Sequence, residues 1–255
     1  GCGKSTTLRM IAGVETPSAG QIFVEEKLIG STTFQVPPEA RSIGLMFQDF
    51  ALFPHLNVQQ NVYFGLSGPK DFKQKRSFDL LKKVGLAHLA FNYPHSLSGG
   101  EQQRVALIRA LAPQPKIMLM DEPFSGLDDR LRDEIRDETF NLLRSEDTAV
   151  LMVTHDPQEA MKVADEIALM RDGKILQKGA PYNIYNAPID LKALQFFSDA
   201  NAIQASLNGS LADTPFGQFF APGLSDGIDI DIVFRPQHVR IDFDRNGCGP
   251  LSTAS

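Results

Sequence analysis

The sequence predicts an α/β domain built on a parallel sheet over residues 1–200, followed by a smaller all-β domain over 201–255. Three observations predict it. Ile117-Met118-Leu119-Met120 and Ala149-Val150-Leu151-Met152-Val153 are continuous apolar runs of strand length, the pattern of parallel strands covered on both faces. Between them Leu131, Ile135, Leu142 and Leu143 form a helical stripe, so the unit reads as strand, crossover helix, parallel strand. From Asn201 the texture changes to short strand-like pieces separated by Gly, Pro, Asn and Asp, with Ile228 to Phe234 the clearest.

Other elements are marked by periodicity and turn residues along the chain. A helix is expected from Lys4 through Leu8, Met10 and Ile11, ending at Gly13, with a turn at Thr16-Pro17-Ser18-Ala19-Gly20 and a strand over Gln21 to Val24. Ile43 to Phe47 is a short apolar strand that ends at Gln48. Phe53-Pro54-His55 breaks the chain before a helical stretch from Val58 to Phe64. The basic segment Lys70 to Lys83, with Phe72, Leu80, Leu81 and Val84, reads as a surface helix. After Tyr93-Pro94 a helix begins at Gly100 and stops before Pro113, so residues 50–112 form a helical subdomain inside the larger domain.

Composition bounds the function. The 255 residues, 42% hydrophobic and 22% charged, suffice for a sizeable core. A net charge of -6 has the wrong sign for a body that binds nucleic acid by neutralising phosphates. Cys2 and Cys248 lie at opposite ends without metal-ligand spacing, which fits a reducing compartment. No apolar run approaches the about eighteen residues needed to span a bilayer, so any work at a membrane must pass through partners. The chain opens on Gly1 within a glycine-rich turn, and Gly247-Cys248-Gly249-Pro250 leads into a polar tail. Both ends are therefore expected to be cut from a longer protein.

Two groups of residues suggest phosphate chemistry. In Gly3-Lys4-Ser5 a glycine lets backbone N–H groups approach phosphate at a helix N-terminus, where the helix dipole also favours an anion. Asp121-Glu122 comes directly after a buried strand, at the carboxyl edge where α/β sheets bind ligands. A short Gly-Lys-Ser turn alone is often an ordinary helix start, and an Asp-Glu pair is usually a solvated turn. Their joint presence favours phosphoryl transfer, which asks a protein mainly for positioning and charge neutralisation.

Leu97-Ser98-Gly99-Gly100-Glu101-Gln102-Gln103 resembles the signature motif of ABC ATPases, and the chain is identified as similar to the ATP-binding subunits of ABC transporters with a P-loop NTPase core. Gln48, Ser125-Gly126-Leu127-Asp128 and His155 match that family's Q-loop, D-loop and H-loop in order. The resemblance implies that Gly1, Cys2, Gly3, Lys4, Ser5 and Thr6 bind ATP, joined by Ser98, Gly99, Gly100, Gln102 and Asp128 from an opposed subunit. It implies Mg²⁺ held by Ser5, Gln48 and Asp121, and catalysis by Glu122, His155 and Gln48. Two phosphate cradles far apart in one chain imply a head-to-tail homodimer with ATP between the subunits.

The first glycine of the family's phosphate loop, the strand feeding it and the aromatic that stacks on adenine are not in the sequence, and Gly126 stands where alanine is common in importers. ATP binding by residues 1–255 alone is therefore expected to be weak or absent. A soluble ABC ATPase of repair, chromosome or translation type is the alternative, but the long coiled-coil insertion or second ATPase half of those members has no counterpart here. Residues 51–58 resemble the segment that receives a permease coupling helix, and Val233-Phe234-Arg235-Pro236-Gln237-His238-Val239-Arg240-Ile241 resembles the small TOBE-like β domain of importer ATPases. The expected setting is the cytoplasmic face of a bacterial inner membrane, peripheral, with permease subunits and, indirectly, a periplasmic solute-binding protein. Phe196-Phe197, Asn201, Thr214-Pro215-Phe216-Gly217 and Ala221-Pro222-Gly223-Leu224 look most like ferric-iron importers; polyamine, thiamine, sulfate or phosphonate uptake would use nearly the same ATPase.

Overall fold

The computed structural model describes residues 2–243 and 250–254, so Gly1 and Cys248 lie outside the described residues. It divides into two compact units. The first holds the chain up to Asp156 with Asp172–Lys174, and the second holds Pro157–Arg171 and the chain from Ile175.

The first unit runs α1 (Lys4–Ala12), β1 (Gln21–Val24), β2 (Lys27–Ser31), β3 (Ile43–Met46), α2 (Val58–Tyr63), α3 (Lys70–Lys83), α4 (Gly99–Leu111), β4 (Ile117–Asp121), α5 (Asp129–Ser145) and β5 (Ala149–Val153). Strands β3, β4 and β5 form a parallel sheet in that order, with Ile43 opposite Ile117 and Ile117 opposite Ala149. The strand, helix, parallel strand unit expected from the apolar runs is thus present as β4, α5 and β5. Leu8 and Ala12 of α1 pack with Leu119 of β4, with Ile11, Ile43, Leu45, Ile117 and Val153 around them. That contact fixes α1 against the sheet and aims its N-terminus at the strands' carboxyl edge.

One expectation fails in this sheet. β4 is buried from Met118 to Asp121, as a strand covered on both faces must be. β5 is not, and Leu151 is 42% exposed. β5 lies at an edge of the three-stranded sheet, and an apolar run reports strand length without reporting how many faces are covered. Leu131 likewise leaves the buried stripe of α5 and is exposed, while Ile135, Leu142 and Leu143 are buried.

Helices α2, α3 and α4 pack on one another, with Val105, Ala106, Leu107, Ile108 and Leu111 of α4 buried. α3 buries Ser77, Leu80 and Leu81, leaves Phe72 and most of its basic residues outside, and keeps Arg76 largely covered. The segment entering this bundle is held by backbone bonds. Buried Asn61 accepts from Phe53 N at 2.8 Å and points its amide at the carbonyls of Phe53, Leu56 and Asn57. Arg109 of α4 donates to the carbonyls of Phe50 and Ala51, both left-handed residues, and lies over the Phe53 ring. Removal from water lowers the pKa of Arg109, while Asp49 opposes the shift.

The second unit contains α6 (Pro157–Val163), β6 (Ile167–Arg171), β7 (Lys174–Gly179), α7 (Pro181–Asn186), α8 (Leu191–Phe197), β8 (Asn201–Asn208), β9 (Leu211–Thr214), β10 (Gly217–Phe220), β11 (Asp229–Phe234), β12 (Val239–Phe243) and β13 (Pro250–Ala254). β10, β9, β8 and β11 make an antiparallel sheet in that order around Ala205, Leu207 and Ala212, and β12 pairs antiparallel with β13. The change of texture at Asn201 coincides with the start of β8. Buried Arg235, just past β11, stacks on Tyr185 and bonds the Tyr185 carbonyl and Ser198 Oγ, so the Phe-Arg-Pro-Gln sequence anchors the sheet to α7 and the end of α8. Among the described residues no helix is long and apolar enough to cross a membrane.

Candidate active site

The site assembles where α1 begins and β4 and β5 end. Gly3 precedes α1 at φ 92°, a backbone that side-chain-bearing residues rarely adopt, and no side chain caps the helix there. The first amides of α1 therefore keep their donors for an incoming anion. At the other end of α1, Arg41 donates to the carbonyls of Met10 and Ile11 at 2.9 and 2.8 Å and bonds Gln35, fastening the helix whose N-terminus lines the site. Lys4 Nζ lies 3.5 Å from Cys2 Sγ, and Thr6 is exposed in the first turn.

Ser5 Oγ donates to Asp121 Oδ1 at 2.9 Å, joining residues 116 apart in the chain. Asp121 is the last residue of β4 and is buried. Two hard oxygen donors held together at a strand end suit a small divalent cation such as Mg²⁺. Gln48 is exposed just beyond β3, which pairs Met46 with Met120, so it leaves the sheet at the edge that carries Asp121.

Glu122 has φ 47°, left-handed for a residue with a side chain. Its N–H donates to the Val153 carbonyl at 2.9 Å, extending the ladder by one bond, and its own carbonyl accepts from Ser125. Phe124, wholly buried beside Phe140, anchors the turn in the core. Held this way, Glu122 Oε2 lies 3.0 Å from Nδ1 of His155, just past β5. Ser5, Asp121, Glu122 and His155 are thus brought together by direct contacts.

The signature residues form a separate surface at the start of α4. Ser98 is the N-cap, and Glu101 answers it in a capping box: Oε2 accepts from Ser98 N at 2.7 Å and from Ser98 Oγ at 2.8 Å. These bonds hold the Glu101 carboxyl below the usual range. A Cβ on Gly99 would meet open space, so packing does not ask for glycine there, whereas one on Gly100 would press on Ile135. Gln102 turns back and donates to the carbonyls of Pro94 and Leu97, bracing the loop ahead of the helix. The Asp128 carbonyl accepts from Leu131 and Arg132 N–H groups and starts α5.

Sequence reasoning missed Glu101, Arg41, Asn61 and Arg109. Glu101 was open to detection, because Ser98-x-x-Glu101 is the capping-box spacing. Arg41 and Arg109 bond backbone carbonyls far along the chain, and Asn61 bonds the irregular stretch just before its own helix, and no periodic pattern announces either.

Comparison with known proteins agrees with this geometry. A family model described as ABC transporter matches residues 1–125. The Fe(3+) ions import ATP-binding protein FbpC of Serratia marcescens is 43% identical over 242 residues, covering 94% of this chain and 70% of that protein. The putrescine transport ATP-binding protein PotG of Escherichia coli (strain K12) is 40% identical, covering 97% and 69%. This chain therefore spans little more than two thirds of either relative. Among solved structures, the ATP-binding cassette MJ0796, as a post-hydrolysis dimer bound to ADP and Pi, superposes with a TM-score of 0.62 at 30% identity, covering 71% of this chain and 81% of that one. With strand-end carboxylates, a phosphate-loop helix and a signature helix all present, the chain belongs to the ABC transporter family, among its ATP-hydrolysing, ATP-binding subunits.

Proposed function

We propose that this chain forms half of a composite ATPase site that powers solute uptake, with ferric ion as the solute. The observation that carries the reading is the convergence of Ser5 on Asp121 and of His155 on Glu122 at one edge of the sheet. Lys4 and the first amides of α1 take the β- and γ-phosphates of ATP. Ser5 and Asp121, with Gln48 at the same edge, hold Mg²⁺, which neutralises phosphate charge when bound. The Glu122 carboxylate orients and polarises the attacking water. His155, set beside Glu122, contacts the γ-phosphate.

Gly1, Cys2, Gly3 and Thr6 complete the loop around the phosphates. Ser98, Gly99, Gly100, Gln102 and Asp128 serve the nucleotide of a second copy packed head to tail, a reading supported by the dimeric state of the solved relative. Residues 1–200 act as the ATPase domain, with its helical part at 50–112, and 201–255 as an appended β domain. Residues 51–58, held by Asn61 and Arg109, receive a membrane permease at the cytoplasmic face of a bacterial inner membrane, and a periplasmic solute-binding protein delivers the solute. The name of the Serratia relative favours ferric ion, and that of the Escherichia coli relative makes a polyamine the second reading.

In the full-length protein, Glu122→Gln should keep ATP binding and trap the closed dimer while turnover falls at least about a hundredfold. Steady-state ATPase assays with sedimentation in the presence of ATP read both effects. Undiminished turnover would remove Glu122 from the role assigned to it.

A further inference from the structure

Arg132 lies in the first turn of α5, close after the 125–128 turn. Its Nη2 donates to the Leu127 carbonyl at 3.2 Å, and its Nη1 stands 3.8 Å from Asp156 Oδ2. Leu127 precedes Asp128 in the turn that faces the second subunit in the proposed dimer. Asp156 is the next residue after His155, and its N–H donates to Thr154 Oγ1 at 2.9 Å, so its carboxylate shares the tight turn that carries the imidazole. That imidazole in turn meets Glu122 Oε2 at 3.0 Å.

One guanidinium thus touches two loops with different duties. Its planar fork hydrogen-bonds a carbonyl with one nitrogen and holds the other in ion-pair range of a carboxylate, which a lysine ammonium, a point charge on a flexible stem, does poorly. Helix stability alone does not favour arginine here, because a cation in the first turn faces the positive end of the helix dipole. The Arg132 and Asp156 side chains are 27% and 29% exposed, so solvent screens the pair less than a surface pair.

We infer that Arg132 is a positioning residue that couples the 125–128 turn to His155 and Glu122, so that docking of the second subunit sets the geometry of hydrolysis in the first. The inference rests on the proposed ATPase function. A displacement of the Leu127 carbonyl pulls on the guanidinium, the guanidinium on Asp156, and Asp156 on the backbone of His155. Reaction geometry is sensitive to shifts below one ångström, so a short chain of contacts suffices.

The test uses the full-length protein and measures rate against ATP concentration. Arg132→Ala should lower kcat about tenfold, change KM less than about twofold, and bring the Hill coefficient down toward 1, with an unchanged thermal melt. Asp156→Asn keeps the side-chain shape and should reproduce the pattern even if the arginine variant folds poorly. The two substitutions together should cost little more than either alone. A wild-type kcat and Hill coefficient in both variants would overturn the coupling, as would a loss confined to KM. A wild-type protein without turnover would instead overturn the ATPase function, and this inference with it.

Discussion

Glu122 carries a backbone cost that the role proposed for it would explain. A left-handed backbone at a residue with a Cβ costs roughly 1–2 kcal/mol relative to glycine, and φ at Glu122 is 47°. The turn is kept because Glu122 N–H bonds Val153 and buried Phe124 pins the next stretch of backbone in the core. Glu122→Gly should therefore abolish turnover while raising stability by about 1 kcal/mol in urea denaturation, since glycine relieves the backbone; a loss of stability would show that the contact with His155 outweighs the strain. That Ser5 would meet Asp121 and Glu122 would meet His155 at one sheet edge was legible in the sequence, because each sits in a short motif with its own residue type. The bond from Ser98 Oγ to Glu101, and the reach of Arg132 to two loops, were not, because they depend on side-chain direction.

At the scale of elements, α3 and the end of α5 are joined by charge. Glu146, just past α5, accepts from Arg76 Nη2 at 2.6 Å and from Lys83 Nζ at 2.5 Å, with the Glu146 side chain 8% exposed. Burial by itself would raise the Glu146 pKa, but the two basic partners outweigh it and the folded value lies below the ordinary one. The contribution to stability is therefore complete above the unfolded glutamate pKa of about 4.3 and is lost as pH falls through the folded value. Glu146→Gln should cost about 1–2 kcal/mol near neutral pH, and the gap between variant and wild type should narrow as pH falls below the unfolded value toward the lower folded one. Urea melts at two pH values read this; a pH-independent gap would assign the effect to packing. Helices α1 and α3 were placed from periodicity and caps alone. The strand β2 was missed, because Lys27, Gly30 and Ser31 dilute its apolar pattern and its pairing with β1 is set by the turn at Glu25 and Glu26.

At the scale of the molecule, the helix that begins at Lys4 and the helix that begins at Gly99 present separate N-termini in one chain. If the signature acts across a dimer, Ser98→Arg should leave ATP affinity within about twofold and lower turnover about a hundredfold. Equilibrium nucleotide binding and ATPase rates on the same preparation separate the two, and a wild-type rate would argue for a site within one subunit. The order of motifs made the family legible, whereas the way the chain divides at Asp156 was not, since no shift in composition marks that residue.

The segment at 50–57 carries a further consequence. Asn61 and Arg109 grip it through the carbonyls of Phe50, Ala51, Phe53, Leu56 and Asn57, while the Phe53 ring packs on Phe64 beneath Arg109 and Asn57 Oδ1 caps α2. A loop clamped by its main chain keeps its shape while most of its side chains are exchanged. The main chain sets the shape of this loop, so exchanging its exposed side chains, Pro54 and His55 among them, should leave that shape intact.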